Sequence, residues 1–267
     1  MSITKRIDQA RNAFEKRDLA ASRAAHTPEA IVRASEEHGG ASHQYIGDMV
    51  YGGLDGIVTT FAVVSGVAGA NLGSGVILIL GMANLLADGL SMATGAYLSL
   101  KSELEYYGRE REREAWEVTN FPKGERAELL ELYKAKGYSP EDAQTLVDIQ
   151  SKDPTLWVDE MMVQELGLLP DDRKPIYSAL ATLASFIVAG VVPLLVYLLG
   201  LFVPVDSGIS FFVALILSAV ALFALGAAKV LVTERNWFRS GLEMLLVGGL
   251  AAGVAYLVGY LLQGLGA

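Results

Sequence analysis

Five long apolar stretches constrain this chain more than any other feature of its sequence. They cover residues 50–70, 76–100, 176–203, 209–228 and 242–265. A helix needs about 20 apolar residues to cross a bilayer, and each stretch meets that length. Hydrophobic residues make up 52% of the 267 residues and charged residues only 19%, less than the roughly one quarter that is typical of soluble domains. The sequence therefore predicts an all-α integral membrane protein with five transmembrane helices.

The segment between the second and third stretches is different in kind, because it is acidic and water-soluble. Residues 101–175 hold 18 Asp and Glu against 11 Lys and Arg. We expect the second span to continue as one long helix to about residue 118, with a break at 120–124. Three helices should follow, and Ser139 and Asp153, each just before a Pro, suit the N-caps of the last two. The three predicted helices cover residues 125–136, 140–151 and 154–166.

The basic residues predict an orientation in the membrane. Seven Lys and Arg lie in residues 1–43, and others lie just after the second span and between the fourth and fifth. Positive charges favour the cytoplasmic side, so we expect the N-terminal segment and the acidic insert to be cytoplasmic. Residues 1–43 are polar and should form a short helix or two. The expected domains are 1–43 (polar segment), 44–100 (spans one and two), 101–175 (acidic insert) and 176–267 (spans three to five).

Several function classes are excluded or disfavoured. The chain has no Cys, which excludes disulfides, iron–sulfur clusters and thiolate zinc sites. A net charge of −9 argues against a nucleic-acid partner. A Walker A motif is absent, so pumping driven by ATP is not supported. We expect no prosthetic group and no catalysis.

Carboxylates recur at helical spacing in the acidic insert. Residues three or four apart share one face of a helix, and three such sets occur on successive helices. One interpretation is a solvated surface of Glu–Arg pairs; the other is convergence on a divalent cation. Carboxylate oxygens alone suit Mg²⁺, Ca²⁺ or Mn²⁺, whereas thioether sulfur favours a softer ion such as Fe²⁺. The candidate ligands are Glu114, Glu117, Glu125, Glu128, Met161, Met162 and Glu165.

Polar residues inside the first two spans indicate a path for a cation, a proton or both. Asp55 interrupts the first span, and Asn84, Asp88 and Met92 form one stripe of the second. An ionisable residue within a membrane is costly and by default a functional candidate. The Gly-x-x-x-Gly spacing of Gly52–Gly56 allows a close helix approach, so we expect this face to pack against its own copy in a homodimer.

Two segments carry a resemblance to a known family. DGIVTTFAVVSG at 55–66 and NLLADGLSMATGAYLS at 84–99 resemble the vacuolar iron transporter family, and the likeness covers about residues 44–267. The resemblance implies a five-span dimer that exports cytosolic Fe²⁺, and often Mn²⁺, in exchange for protons. The destination is the vacuole in plants and fungi; for this chain we expect the plasma membrane of a prokaryote.

The resemblance also implies roles for individual residues. Asp55 and Met92 match the family's membrane pathway, but Asn84 stands where the family has Glu, and Asp88 is the candidate replacement. In the insert, the seven candidate ligands named above match the spacing of the family's metal-binding unit without exception.

Two other functions remain open. The spans could merely anchor a metal buffer or sensor, although an anchor needs no acids within the membrane. An enzyme with a carboxylate-bridged metal centre is the other alternative. The insert has no His, whereas typical di-iron bundles use Glu-x-x-His pairs, which counts against an enzyme.

Overall fold

A computed structural model describes residues 3–34, 45–203, 206–228 and 236–264. All the regular elements within these ranges are helices, as the sequence predicts. They pack into two compact units. We call the described residues up to Leu90 and from Ala181 onward the membrane unit, and Ser91–Leu180 the acidic unit. Packing does not locate the bilayer, so the expected domain boundaries at residues 43, 100 and 175 stay predictions.

Among the described residues, three short helices precede the first apolar helix, where the sequence predicted one or two. They are α1 (Ile3–Glu15), α2 (Leu19–Ala25) and α3 (Pro28–Ala34). The Asp18 carboxylate caps α2, because it accepts hydrogen bonds of 3.0 Å from the backbone N–H groups of the second and third helical residues. Short polar side chains at this position satisfy N–H groups that have no partner within the helix. The remainder of the predicted polar segment, 35–43, lies outside the described residues.

The other α-helices follow in chain order. They are α4 (Ile46–Gly69), α5 (Ser74–Asn120), α6 (Pro122–Ala135), α7 (Pro140–Gln150), α8 (Pro154–Gln164), α9 (Pro175–Gly190), α10 (Leu195–Leu199), α11 (Ser207–Ala228) and α12 (Trp237–Leu262). Within the part of the chain that the structure describes, five segments are long and apolar enough to cross a membrane: α4, α5, the combined α9 and α10, α11 and α12. The five predicted spans are therefore confirmed. The connection between α11 and α12, with Lys229 and Arg235, lies outside the described residues.

The third span is not one uninterrupted α-helix. A short 3₁₀ turn at Val192–Leu194 separates α9 from α10. Pro193 lies within this turn, and a proline has no N–H to donate to the preceding turn of an α-helix. The apolar length of the sequence predicted the span, and the proline explains the change of helix type inside it.

The glycine face of α4 packs within the chain, and the prediction that it contacts a second copy is wrong. A Cβ at Gly52 would lie 2.5 Å from the Thr182 carbonyl oxygen, and one at Gly56 would collide with the Phe186 carbonyl. Both partners belong to α9. Gly-x-x-x-Gly spacing predicts a close approach of helices, but it does not identify the partner. The homodimer that the family resemblance implies stays a prediction.

The acidic unit has its own apolar core. Fully or almost fully buried residues from the end of α5 and from α6, α7 and α8 form it: Val118, Leu129, Tyr133, Ala143, Val147, Trp157, Val158, Met161 and Met162. The Ser139 hydroxyl accepts from the Asp142 N–H at 3.1 Å, and the Asp153 carboxylate accepts from the Thr155 N–H at 2.8 Å. Both predicted N-caps are confirmed.

The break between α5 and α6 is shorter than the sequence predicted. Helix α5 continues to Asn120 and α6 begins at Pro122, so only Phe121 lies between them. The fixed φ of proline suits the first position of a helix, and Gly124 lies in the first turn of α6. Glu125 consequently lies within that turn instead of starting the helix.

Candidate metal site and membrane carboxylates

Three glutamates of the acidic unit bring their carboxylates together. Glu114 lies near the end of α5, Glu125 lies in the first turn of α6, and Glu165 is the C-cap of α8. One oxygen from each lies within 4.8 Å of the others. Carboxylate oxygens bind divalent cations at about 2.0–2.6 Å, so two ligands on opposite sides of one ion lie at most about 5 Å apart. This triad has the spacing of a single-ion site.

Helical spacing fixes two of these carboxylates at the edge of the apolar core. Val118 follows Glu114 by four residues and is 5% exposed, while Leu129 follows Glu125 by four residues and is fully buried. Side chains four apart lie on the same helix face. Burial of Val118 and Leu129 in the core therefore places Glu114 and Glu125 at its edge.

The third carboxylate is held at a helix terminus. The Glu165 N–H donates a 2.9 Å hydrogen bond to the carbonyl of Met161, which is itself fully buried. The C-terminal end of a helix carries partial negative charge. The position of Glu165 thus adds to a negative potential that favours a cation.

The triad is electrostatically strained without a cation. Burial, together with the nearby Glu165 carboxylate, raises the pKa of Glu114 to about 7. Burial and the neighbouring Glu128 raise the pKa of Glu125 to about 7. The pKa of Glu165 is also raised, by burial and then by Glu128. Low dielectric and like charges both disfavour the ionised form of an acid, and a bound metal ion would offset both effects.

Two carboxylate oxygens in the triad are buried without any hydrogen-bond partner. They are Oε2 of Glu114 and Oε2 of Glu125. Buried polar atoms without a partner are rare and costly. A divalent cation between the helices would satisfy both oxygens, so this observation supports metal binding independently of the spacing of the triad.

Arg113 is the functional candidate that the sequence analysis did not single out. Its guanidinium donates to Glu110 at 3.0 Å, to Glu114 at 2.7 Å and to Glu117 at 3.0 Å. The i, i+3 and i, i+4 spacings to Glu110 and Glu117 could have indicated two of these pairs. The predicted Glu–Arg surface pairs and the predicted carboxylate cluster therefore occur at the same place.

The other predicted ligands surround the triad or lie in the adjoining core. Glu117 is 28% exposed and pairs with Arg113, and Glu128 is exposed on α6. Both carboxylates act on the pKa of Glu125. Met161 and Met162 are fully buried in the apolar core. The structure brings together Glu114, Glu125 and Glu165; metal ligation by the other four residues stays a prediction.

In the membrane unit, two acids on neighbouring spans interact. Asp55 on α4 and Asp88 on α5 are half-buried, and their carboxylates repel one another electrostatically. The side-chain nitrogen of Asn84 is buried without a hydrogen-bond partner. Met92, four residues after Asp88 on α5, is half-buried. The pathway roles of all four residues stay predictions.

Comparison with known proteins agrees with these features. A family model described as the VIT family matches residues 46–260. A protein named vacuolar iron transporter from Toxoplasma gondii is 39% identical, over 96% of this chain and 88% of its own length. Another protein of that name from Plasmodium falciparum is 31% identical, over 98% of both chains. Vacuolar iron transporter 1 of Arabidopsis thaliana is 33% identical, over 82% of this chain and 87% of its own.

The match thus includes the described helices α4–α11 and nearly all of α12. It covers both the buried glutamate triad and the membrane carboxylates. The chain belongs to the VIT family.

Proposed function

We propose that this chain transports Fe²⁺, with Mn²⁺ as a second substrate, out of the cytosol in exchange for protons. Iron transport follows from the family and from the names of its relatives. The observation that carries the capture step is the buried triad of Glu114, Glu125 and Glu165. A chain with five apolar spans can then pass the ion through the bilayer. The relatives are named as transporters, and we propose no catalytic activity for this chain.

Capture takes place at the acidic unit. Carboxylate oxygens bind Mn²⁺ and Fe²⁺ readily, and thioether sulfur from Met161 or Met162 would favour softer transition metals over Mg²⁺ and Ca²⁺. The outer acids Glu117 and Glu128 add negative charge that attracts cations to the triad. This unit therefore serves as the receiving site of the transporter.

Translocation uses the acids within the membrane. A carboxylate in a low-dielectric environment is stable when it holds either a cation or a proton. Asp55 and Asp88 are close enough for their charges to interact, and both belong to the proposed pathway. Asn84 and Met92 add a neutral oxygen and a sulfur on the same helix. Alternate occupation of these acids by metal and protons gives an exchange mechanism.

The expected orientation places the N-terminal segment and the acidic unit in the cytosol, following the distribution of basic residues. The relatives are named for the vacuole, and a prokaryotic plasma membrane remains our prediction for this chain. We also propose a homodimer. Because Gly52–Gly56 is buried against α9, crosslinking should use single Cys residues at exposed apolar positions of α5, α11 and α12.

The proposal is tested with the purified full-length chain in proteoliposomes loaded with a dye that Fe²⁺ quenches. We expect Fe²⁺ entry that exceeds the rate in protein-free vesicles and increases severalfold when the interior is made acidic. Fe²⁺ flux that does not depend on the pH gradient would contradict proton exchange. Binding without any flux would contradict transport and favour a membrane-anchored buffer or sensor.

A further inference from the structure

The Arg113 side chain occupies the edge of the candidate metal site. One nitrogen lies 2.7 Å from Oε1 of Glu114, and a second lies 3.0 Å from Glu117, which is also a candidate ligand. The third contact, at 3.0 Å, is with Glu110, which is not a candidate ligand. Arg113 therefore connects the triad to an acid outside it.

Two other arginines of the acidic unit have partners of their own. Arg111 pairs with Asp159 at 2.8 Å, and Arg126 pairs with Asp148. Neither partner belongs to the candidate site. Among the described residues, Arg113 is the cation that pairs with Glu114.

A metal ion and Arg113 compete for the same carboxylates. Glu114 has one oxygen bonded to Arg113 and the other buried without a partner. A divalent cation held by that carboxylate would lie a few ångströms from the guanidinium, and like charges so close repel strongly outside bulk water. The side chain of Arg113 is 43% exposed, so its head can move toward solvent while Glu110 retains it.

We propose that Arg113 is a built-in counter-cation that neutralises the empty site and is displaced from Glu114 and Glu117 when metal binds. This inference rests on the proposed capture role of the triad. It has a functional consequence, because an arginine that competes with the ion weakens binding and favours release of the ion. Arg113 is a positioning residue that sets affinity, since it is not itself a ligand.

The test compares Mn²⁺ binding to the full-length protein in lipid nanodiscs, measured by calorimetry. Arg113→Gln removes the charge and keeps much of the side-chain length. We expect it to bind Mn²⁺ at least about fivefold more tightly, the scale of a partly exposed ion pair. Without metal, the variant should also unfold at a lower temperature than wild type. Saturating Mn²⁺ should raise the unfolding temperature of the variant by more than that of wild type. Arg111→Gln, on the same helix, should change the Kd less than twofold.

A second measurement needs no variant. Phenylglyoxal modifies accessible guanidinium groups, and peptide mass spectrometry reads each arginine separately. In the wild-type protein, Mn²⁺ should increase the modification of Arg113 and leave Arg111 unchanged. Equal or weaker binding by folded Arg113→Gln, or lower reactivity of Arg113 with Mn²⁺, would overturn the inference.

The two proposals fail in different ways. If wild-type protein does not bind Mn²⁺, or if Glu125→Gln binds it as tightly as wild type, the proposed capture site is wrong. The role of Arg113 is then overturned as well. If wild type binds and Glu125→Gln binds more weakly, but Arg113→Gln matches wild type, only the role of Arg113 is wrong.

Discussion

The carboxylates of Glu114 and Glu125, which come from different helices, each retain one buried oxygen that no hydrogen-bond donor reaches. One oxygen of each carboxylate and one from Glu165 lie within 4.8 Å of one another. Folding of the acidic unit therefore positions negative charge that the protein neutralises only in part. We propose that a divalent cation supplies the charge that is missing.

The first prediction concerns ligand charge. Glu125→Gln keeps the shape of the side chain but removes its negative charge, so we expect Mn²⁺ affinity to fall about tenfold or more. Calorimetry on the full-length protein measures the change. Glu131→Gln is the matched control, because Glu131 lies on the same helix and pairs with Lys134. Equal affinities for the two variants would show that the triad is not the site.

The second prediction concerns the stability of the metal-free protein as a function of pH. The folded-state pKa of Glu114 and of Glu125 is about 7, above the ordinary value of 4.5. The folded state therefore binds more protons than the unfolded state between these values, and its stability falls as pH rises from about 4.5 to 7. With a chelator present, the unfolding midpoint reported by buried Trp157 should decrease from pH 5 to pH 8.

The control for this titration removes the two acids. Glu114→Gln combined with Glu125→Gln should flatten the decrease above pH 5, because neither side chain can then ionise. Trp116→Phe and Trp237→Phe, at exposed positions, leave Trp157 as the only reporter. A midpoint that increases with pH in the wild-type titration would contradict the assigned pKa shifts.

The third prediction concerns the contact between α4 and α9. In Gly56→Ala the new methyl group meets the backbone of Phe186, and overpacking of this kind costs about 1–3 kcal/mol. The gain in helix propensity, about 1 kcal/mol, offsets only part of that. We expect a lower unfolding temperature in detergent. Gly47→Ala, with no neighbour within 4 Å of the added atom, should unfold at or above the wild-type temperature.

The fourth prediction concerns the second membrane acid. Asp88→Asn should reduce Fe²⁺ flux at least about tenfold, because one of the two carboxylates of the proposed membrane pathway loses its charge. Asp206→Asn is the matched control. Asp206 caps α11 by accepting from the Gly208 N–H, and Asn serves as an equally good cap. Similar flux for the two variants would remove Asp88 from the proposed pathway.

Local rules in the sequence were sufficient for much of this fold. Apolar length predicted the five spans, and the pairs Ser139–Pro140 and Asp153–Pro154 predicted two helix starts, because a cap depends only on its immediate neighbours. The partner of Gly52–Gly56 could not be predicted in this way. Small residues allow close approach to any helix, and the choice of α9 depends on tertiary packing.

The candidate site was predictable as a set of residues but not in its arrangement. Glu114 and Glu117 are three apart, so helical rotation separates their directions by about 60°, enough to bury one and leave the other half-exposed. Spacing alone does not identify which of the two is buried. Phe121, four positions after Glu117, is as apolar as Val118, four positions after Glu114. Only the structure shows that Val118 is buried and Phe121 is exposed. The proposed competition between Arg113 and a metal ion can be inferred only from the three contacts of Arg113 in the structure.

The most direct test of the account measures Fe²⁺ flux and metal binding in the same preparations of Asp55→Asn. In the proposed mechanism, capture at the acidic unit and translocation through the membrane are separate steps. We therefore expect Fe²⁺ flux in proteoliposomes to fall to the level of protein-free vesicles, while Fe²⁺ binding to the triad stays within about twofold of wild type. Flux near the wild-type rate in Asp55→Asn would contradict the proposed mechanism.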